Sequence, residues 1–140
     1  MAGKRRANSA DNHAYEATLA SVMLDVAVQA SDRTQQVISR ALGYRNRSTL
    51  SHYQTGLYGI PVTSAERIAR EVGLDEGAFM VAVLRQRHPE TMREALVPPP
   101  ISDEDVAAMR ERLKIEGRAA ALDMLDIVQR PLDGPALKAA

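Results

Sequence analysis

The 140-residue chain has no cysteine, no tryptophan and a single phenylalanine, and each absence removes a class of protein. Without cysteine there is no disulfide frame, no thiolate nucleophile and no cysteine zinc site, which fits a reducing compartment. Aromatics make up 4% of residues against 45% hydrophobic overall, so alanine, leucine and valine have to build the core of one modest domain and an appendage. No apolar run reaches membrane-spanning length and no signal-type apolar segment follows the basic start, so a soluble, cytoplasmic protein with no membrane partner is expected. A glycine-rich phosphate loop, a nucleophile elbow and a His-Glu-x-x-His pattern are all missing. Asp103, Glu104 and Asp105 are consecutive and point to different sides of a helix, so neither catalysis nor a cofactor is expected. His13, His52 and His88 are too scattered for a metal site.

The chain also lacks net charge, which at first argues against nucleic acid, because phosphate neutralisation supplies much of the affinity. The distribution is uneven, however. Residues 1–56 hold seven Lys or Arg against four acids, a balance of +3, and the remainder carries −3. Lys4, Arg5 and Arg6 lie in a small, polar segment, which is either a solvated terminus or an arm that follows a DNA backbone.

The most informative stretch runs from Thr34 to Gly56 and reads as two short helices joined by a tight turn. In the first, about Thr34 to Leu42, helical spacing places Val37, Ile38, Ala41 and Leu42 on one side and Gln35, Gln36, Ser39 and Arg40 on the other. Gly43 follows, where a left-handed helix end favours glycine, and Arg45 and Asn46 lead into a second helix from about Arg47 to Thr55. There Leu50 and Tyr53 face inward, while Ser48, Ser51, His52 and Thr55 share the opposite face with Arg47 at its edge. All of these can hydrogen-bond base edges or phosphates. Tyr44, Tyr53 and Tyr58 cluster around the turn as packing residues with polar tips.

These residues resemble the Cro/cI-type helix-turn-helix transcriptional regulators, the xenobiotic-response-element family. The likeness is carried by Gln35 opening the first helix, a small residue at Ser39 before Gly43, the run Ser48-Thr49-Leu50-Ser51, Gly56 and Pro61. Here the turn through Arg45-Asn46-Arg47 is one residue longer, and Gln54 stands where the family often has Glu. The resemblance implies an all-α, five-helix domain that binds double-stranded DNA. Asn46, Arg47, Ser48, Ser51 and His52 would then be base-reading, and Gln35, Gln36, Arg45, Thr49, Thr55, Lys4, Arg5 and Arg6 would hold the DNA backbone. A homodimer reading an inverted repeat follows, because one unit reads only a few base pairs. Repression by occlusion is the favoured outcome. An activator touching RNA polymerase, control by an antagonist protein, and a protein-interaction adaptor without DNA binding are the alternatives.

Around this stretch, a long helix is expected from Asn12, with Tyr15, Leu19, Val22, Met23, Val26 and Ala30 on one face. Thr63-Ser64-Ala65-Glu66 has the spacing of a capping box for a helix closed by Gly73, and Asp75 can cap a fifth helix that His88-Pro89 stops. The organisation expected is an arm (1–12), a DNA-binding domain (13–96), a proline-rich spacer (97–101), an amphipathic region (102–130) and a tail (131–140). In the amphipathic region Val106, Met109, Leu113, Ala120, Met124 and Ile127 recur at helical steps, and Gly117 either breaks one long helix or lies within it. That stripe packs on its own domain, or forms a dimer or partner seam through Val106, Met109, Leu113, Met124 and Ile127, with Phe79 or Met80 as a second possible seam.

Overall fold

From Ala20 to Val28 the first helix is buried at every position, a run that only a helix surrounded on all sides can sustain. It is α1, Leu19–Ala30, and the rest of the chain wraps it. A computed structural model describes residues 14–95 and 98–131. The expected arm at Lys4, Arg5 and Arg6, a helix start at Asn12, Val97 of the spacer and the tail beyond Pro131 lie outside the described residues. Seven further helices follow: α2 (Gln35–Ala41), α3 (Ser48–Thr55), α4 (Val62–Val72), α5 (Glu76–Arg87), α6 (Pro89–Glu94), α7 (Asp103–Glu116) and α8 (Arg118–Gln129). The described residues contain no strand, so the chain is all-α.

Local signals set several boundaries. Thr34, Asp75 and Ser102 each accept a backbone N–H from the first turn of α2, α5 and α7. Asp103, Glu104 and Asp105 then occupy the first turn of α7, where the helix dipole favours acids. Gly56 ends α3 in the left-handed region at φ 82°, and the backbone of Tyr15 and Glu16 passes so close that a Cβ there would overlap it. Tyr15 N–H donates to the Gly56 carbonyl at 3.2 Å, tying the segment before α1 to the end of α3.

Two expectations are corrected here and a third is extended. Residues 14–17 form a turn, and α1 starts at Leu19, because Tyr15 is needed against Gly56 and cannot join a regular helix. Thr63 lies inside α4, which begins at Val62 after Pro61 with no side-chain cap, so the capping box does not form. Pro61 fixes an extended entry two residues earlier. His88-Pro89 stops α5, but Pro89 then opens the short α6, the position where a missing N–H does no harm.

The larger correction concerns the C-terminal region. Val106 (1% exposed), Met109 (9%), Leu113 (4%) and Met124 (3%) are buried in the same core as α1, and Ile127 packs against it, so the expected seam is covered by the chain itself. Phe79 is fully buried too and is no part of a second seam, while Met80 is partly buried against the core. Gly117 separates α7 from α8 at φ 57°, ψ −126°, a combination that side chains resist, and the two helices fold back as a hairpin. This hairpin is fastened at several points. The Arg110 guanidinium donates to Glu16 O, Asp25 and Gln54 O at 2.6–2.7 Å, Arg118 donates to Gln29 O and Ser31 O at 2.7 and 2.8 Å, and Gln129 reaches Gly73 O. Residues 102–130 therefore belong to the same packed body as α1–α5.

Gly117→Ala tests the hairpin turn. A Cβ would meet nothing closer than Gln29 Oε1 at 3.6 Å, so the cost is conformational only, about 1–3 kcal/mol in a urea unfolding midpoint. An unchanged midpoint would show that the turn is not held at this backbone conformation.

Candidate nucleic-acid interface

Helices α2 and α3 pack on each other and on α1, joined by residues 42–47. The buried face of α2 is set by Ile38 and Leu42, one turn apart, with Ser39 beside them at 0% exposure and its hydroxyl unpaired. Val37 is 49% exposed and Ala41 faces outward, so α2 is rotated from the face expected of its apolar residues. At the end of α2 Tyr44 N–H donates to Ser39 O at 2.9 Å, which closes the helix into the turn. Gly43 makes the reversal at φ 87°. The Asn46 side-chain oxygen accepts the Ser48 N–H at 2.8 Å and opens α3.

Only Leu50 and Gln54 of α3 are buried. Arg45, Asn46, Arg47, Ser48 and Thr55 are exposed, as is Gln36 on α2, while Thr49, Ser51 and His52 are part-buried on the same two-turn helix. The expected residues thus gather on one surface, with three qualifications. Asn46 uses its oxygen in the turn just before the helix, which leaves its amide as a donor. The His52 ring packs edge-on against Tyr58, centroids 4.9 Å apart. Gln35 turns inward, its amide donating to Gln54 Oε1 at 2.6 Å, so that donor is engaged within the fold.

Beneath this surface lies a polar cluster that sequence inspection missed. Gln54 (5% exposed) donates to Asp25 Oδ1 at 3.0 Å and accepts from Gln35, while Asp25 also accepts from Gln29 at 3.0 Å and from Arg110 at 2.7 Å. An amide at position 54 can donate to one neighbour and accept from the other, whereas a carboxylate would face Asp25 as a like charge. That accounts for Gln where the resembling family often has Glu.

The described arginines fall into three sets: those on helix carbonyls, those in exposed ion pairs, and Arg40, Arg45, Arg47 and Arg87, which do neither. One set holds helix C-termini, where carbonyls lack intrahelical partners. Arg67 donates to Leu42 O at the end of α2, Arg110 to Gln54 O on α3, Arg33 to Glu71 O on α4, and Arg118 to Gln29 O on α1. Exposed pairs absorb others, such as Arg112 with Glu116 and Asp123. Arg40, Arg45 and Arg47 form no ion pair or hydrogen bond with a described residue, and all three lie on α2 or the turn into α3. No Asp or Glu occurs between Arg33 and Ala65, so the chain offers them no local counter-charge.

Tyr44 and Tyr53 meet edge-to-face at 6.4 Å beneath this surface. Burial raises both hydroxyls above the ordinary tyrosine pKa of 10.0, with Arg67 opposing at Tyr44 and Arg87 at Tyr53. Among the described residues no group of three or more His, Asp or Glu is placed to hold a metal, and no helix is long and apolar enough to cross a membrane. A cleft of about 590 Å³ opens by Arg85, Pro89, Met92 and Pro99, with no lining residue from α2 or α3. Comparison of the chain with protein-family profiles, curated proteins and solved structures gives no match.

Two outcomes follow. Gln54→Glu should destabilise the fold by at least about 2 kcal/mol at neutral pH, and the deficit should shrink on acidification. The introduced carboxyl has a raised folded-state pKa, so its penalty is absent below the ordinary carboxylate range and grows as pH rises through it. A deficit independent of pH would contradict the like-charge contact with Asp25. For Tyr44 and Tyr53, raised folded-state values mean that their stabilisation is complete below pH 10.0 and lost as pH rises beyond it. An absorbance titration of the folded protein should show late-ionising tyrosine that Tyr44→Phe diminishes and Tyr44→Phe with Tyr53→Phe removes. No late component would mean that the pair is open to water.

Proposed function

We propose that the chain is a sequence-specific double-stranded DNA-binding transcriptional regulator of the Cro/cI helix-turn-helix type, with α2 and α3 as its two-helix unit. In this reading α3 enters the major groove. Arg47, Ser48, Ser51, His52 and the Asn46 amide face base edges, while Arg45, Gln36, Thr49 and Thr55 meet the phosphates. The observation that carries it is the placement of Arg40, Arg45 and Arg47. These exposed guanidiniums have no partner among the described residues and border a two-turn helix whose outer face is polar, the arrangement that suits an anionic surface. Arg40 joins the proposed backbone contacts. Gln35, with its amide engaged by Gln54, acts from below by holding α3 in place.

Occlusion of a promoter by a dimer on an inverted repeat is the favoured outcome, since two half-sites multiply the selectivity of one short helix. The dimer contact lies elsewhere than on Val106, Met109, Leu113 and Met124, which the core occupies. An activator using a detachable C-terminal region fits less well, because that region is bonded into the body through Arg110 and Arg118.

Selection from a random duplex pool with the purified chain tests the proposal. It should yield a shared motif, and Arg47→Ala should cost about 1–3 kcal/mol on that motif and relax one base position. Arg45→Ala should weaken selected and random duplexes alike and reduce the salt slope by about 1. Failure to enrich any motif, or equal losses on both duplexes for Arg47→Ala, would refute base reading by α3.

A further inference from the structure

The first turn of α7 and the hairpin it starts stand well apart from α3 in sequence, yet one side chain of α7 touches the heart of the α3 support. Arg110 is 5% exposed. Its three bonds go to three different segments: Glu16 O before α1, Asp25 on α1 and Gln54 O in the last turn of α3. From Asp25 the hydrogen bonds continue to the Gln54 side chain and on to Gln35 at the first residue of α2. One guanidinium thus ties the C-terminal hairpin to both helices of the proposed reading unit.

Helix α3 needs such a tie. Its eight residues make about two turns, too short to persist unaided, and its buried residues are Leu50 and Gln54, one turn apart. Leu50 supplies a non-directional apolar anchor around which a short helix can roll. The directional constraint comes from Gln54, whose carbonyl and amide are both fixed through Arg110 and Asp25. Arg110 also places a positive charge at the C-terminal end of α3, where the unpaired carbonyls favour it.

We infer that Arg110 is a positioning residue for sequence reading: from the C-terminal hairpin it fixes the pose of α3, and so the selectivity for DNA, without touching the DNA. This rests on the DNA-binding proposal above. It assigns the hairpin a part in specificity that neither a partner seam nor a passive appendage would have.

The test uses the full chain with Arg110→Lys and Arg110→Met, each assayed well below its own melting temperature. Two quantities are read: amide hydrogen exchange in α3 compared with α5, and the ratio of affinities for selected and random duplex. Lysine retains a charge for Asp25 but lacks the fork that reaches Glu16 O and Gln54 O together. We expect exchange to accelerate in α2 and α3 with α5 little changed, and the affinity ratio to fall about tenfold in Arg110→Met and by less in Arg110→Lys. Unchanged α3 protection together with an unchanged ratio in a folded variant would overturn the inference, as would a uniform loss of protection across all helices with the ratio preserved. If Arg110→Met does not fold, Arg110→Lys decides by the same two readouts. If the unaltered protein prefers no duplex, the DNA proposal fails, and the exchange pattern alone shows whether Arg110 positions α3.

Discussion

The ion pair between Arg110 and Asp25, 2.7 Å long with both side chains more than nine-tenths buried, is the interaction on which the rest of this structure depends. Taking two charges out of water is costly, and such a pair holds only when the remaining donors and acceptors are satisfied. Here they are met by backbone and amide groups from four parts of the chain: Glu16, Gln29, Gln54 and, one step further, Gln35. The arrangement is specific because it is expensive to leave incomplete. A hairpin placed in any other way would strand a charge beside α1, so the pair selects one packing of α7 and α8 against the central helix.

A second consequence concerns charge. A chain of zero net charge has no general attraction for polyanions, and most of its described arginines face acids or helix carbonyls. Three of the four that form no ion pair or hydrogen bond with a described residue are local, Arg40, Arg45 and Arg47, on a stretch without a single acid; the fourth, Arg87, ends α5. Under the proposed function this division favours selectivity. The weak global field limits non-specific adhesion, while the local one acts at close range through geometry.

Elements governed by neighbouring residues were legible in the sequence. The cap at Asp75, the glycine ends at Gly43, Gly56 and Gly73, and the exposed positions Arg45 to Ser48 all appear where local chemistry puts them. Features decided by distant partners were not. The stripe Val106, Met109, Leu113 and Met124 reads the same whether its cover is a second chain or α1, since periodicity names a face and not what lies against it. Val37 and Ser39 exchanged roles because the side of α2 that faces inward is chosen by its packing on α1, α3 and α4. Gln54 and Asp25 looked like ordinary polar helix residues; their burial depends on an arginine 85 positions from Asp25. A buried polar residue between apolar neighbours, as Asp25 is in Leu24-Asp25-Val26, was the one available signal.

The central claim is that the α2–α3 face reads DNA sequence, and genome-wide occupancy by the tagged protein in its own host tests it most directly, with an Arg47→Ala, His52→Ala double variant in parallel. The account predicts sharp peaks sharing an inverted repeat that disappear in the variant. A folded, expressed protein with no peaks, or peaks unchanged in the variant, would contradict it.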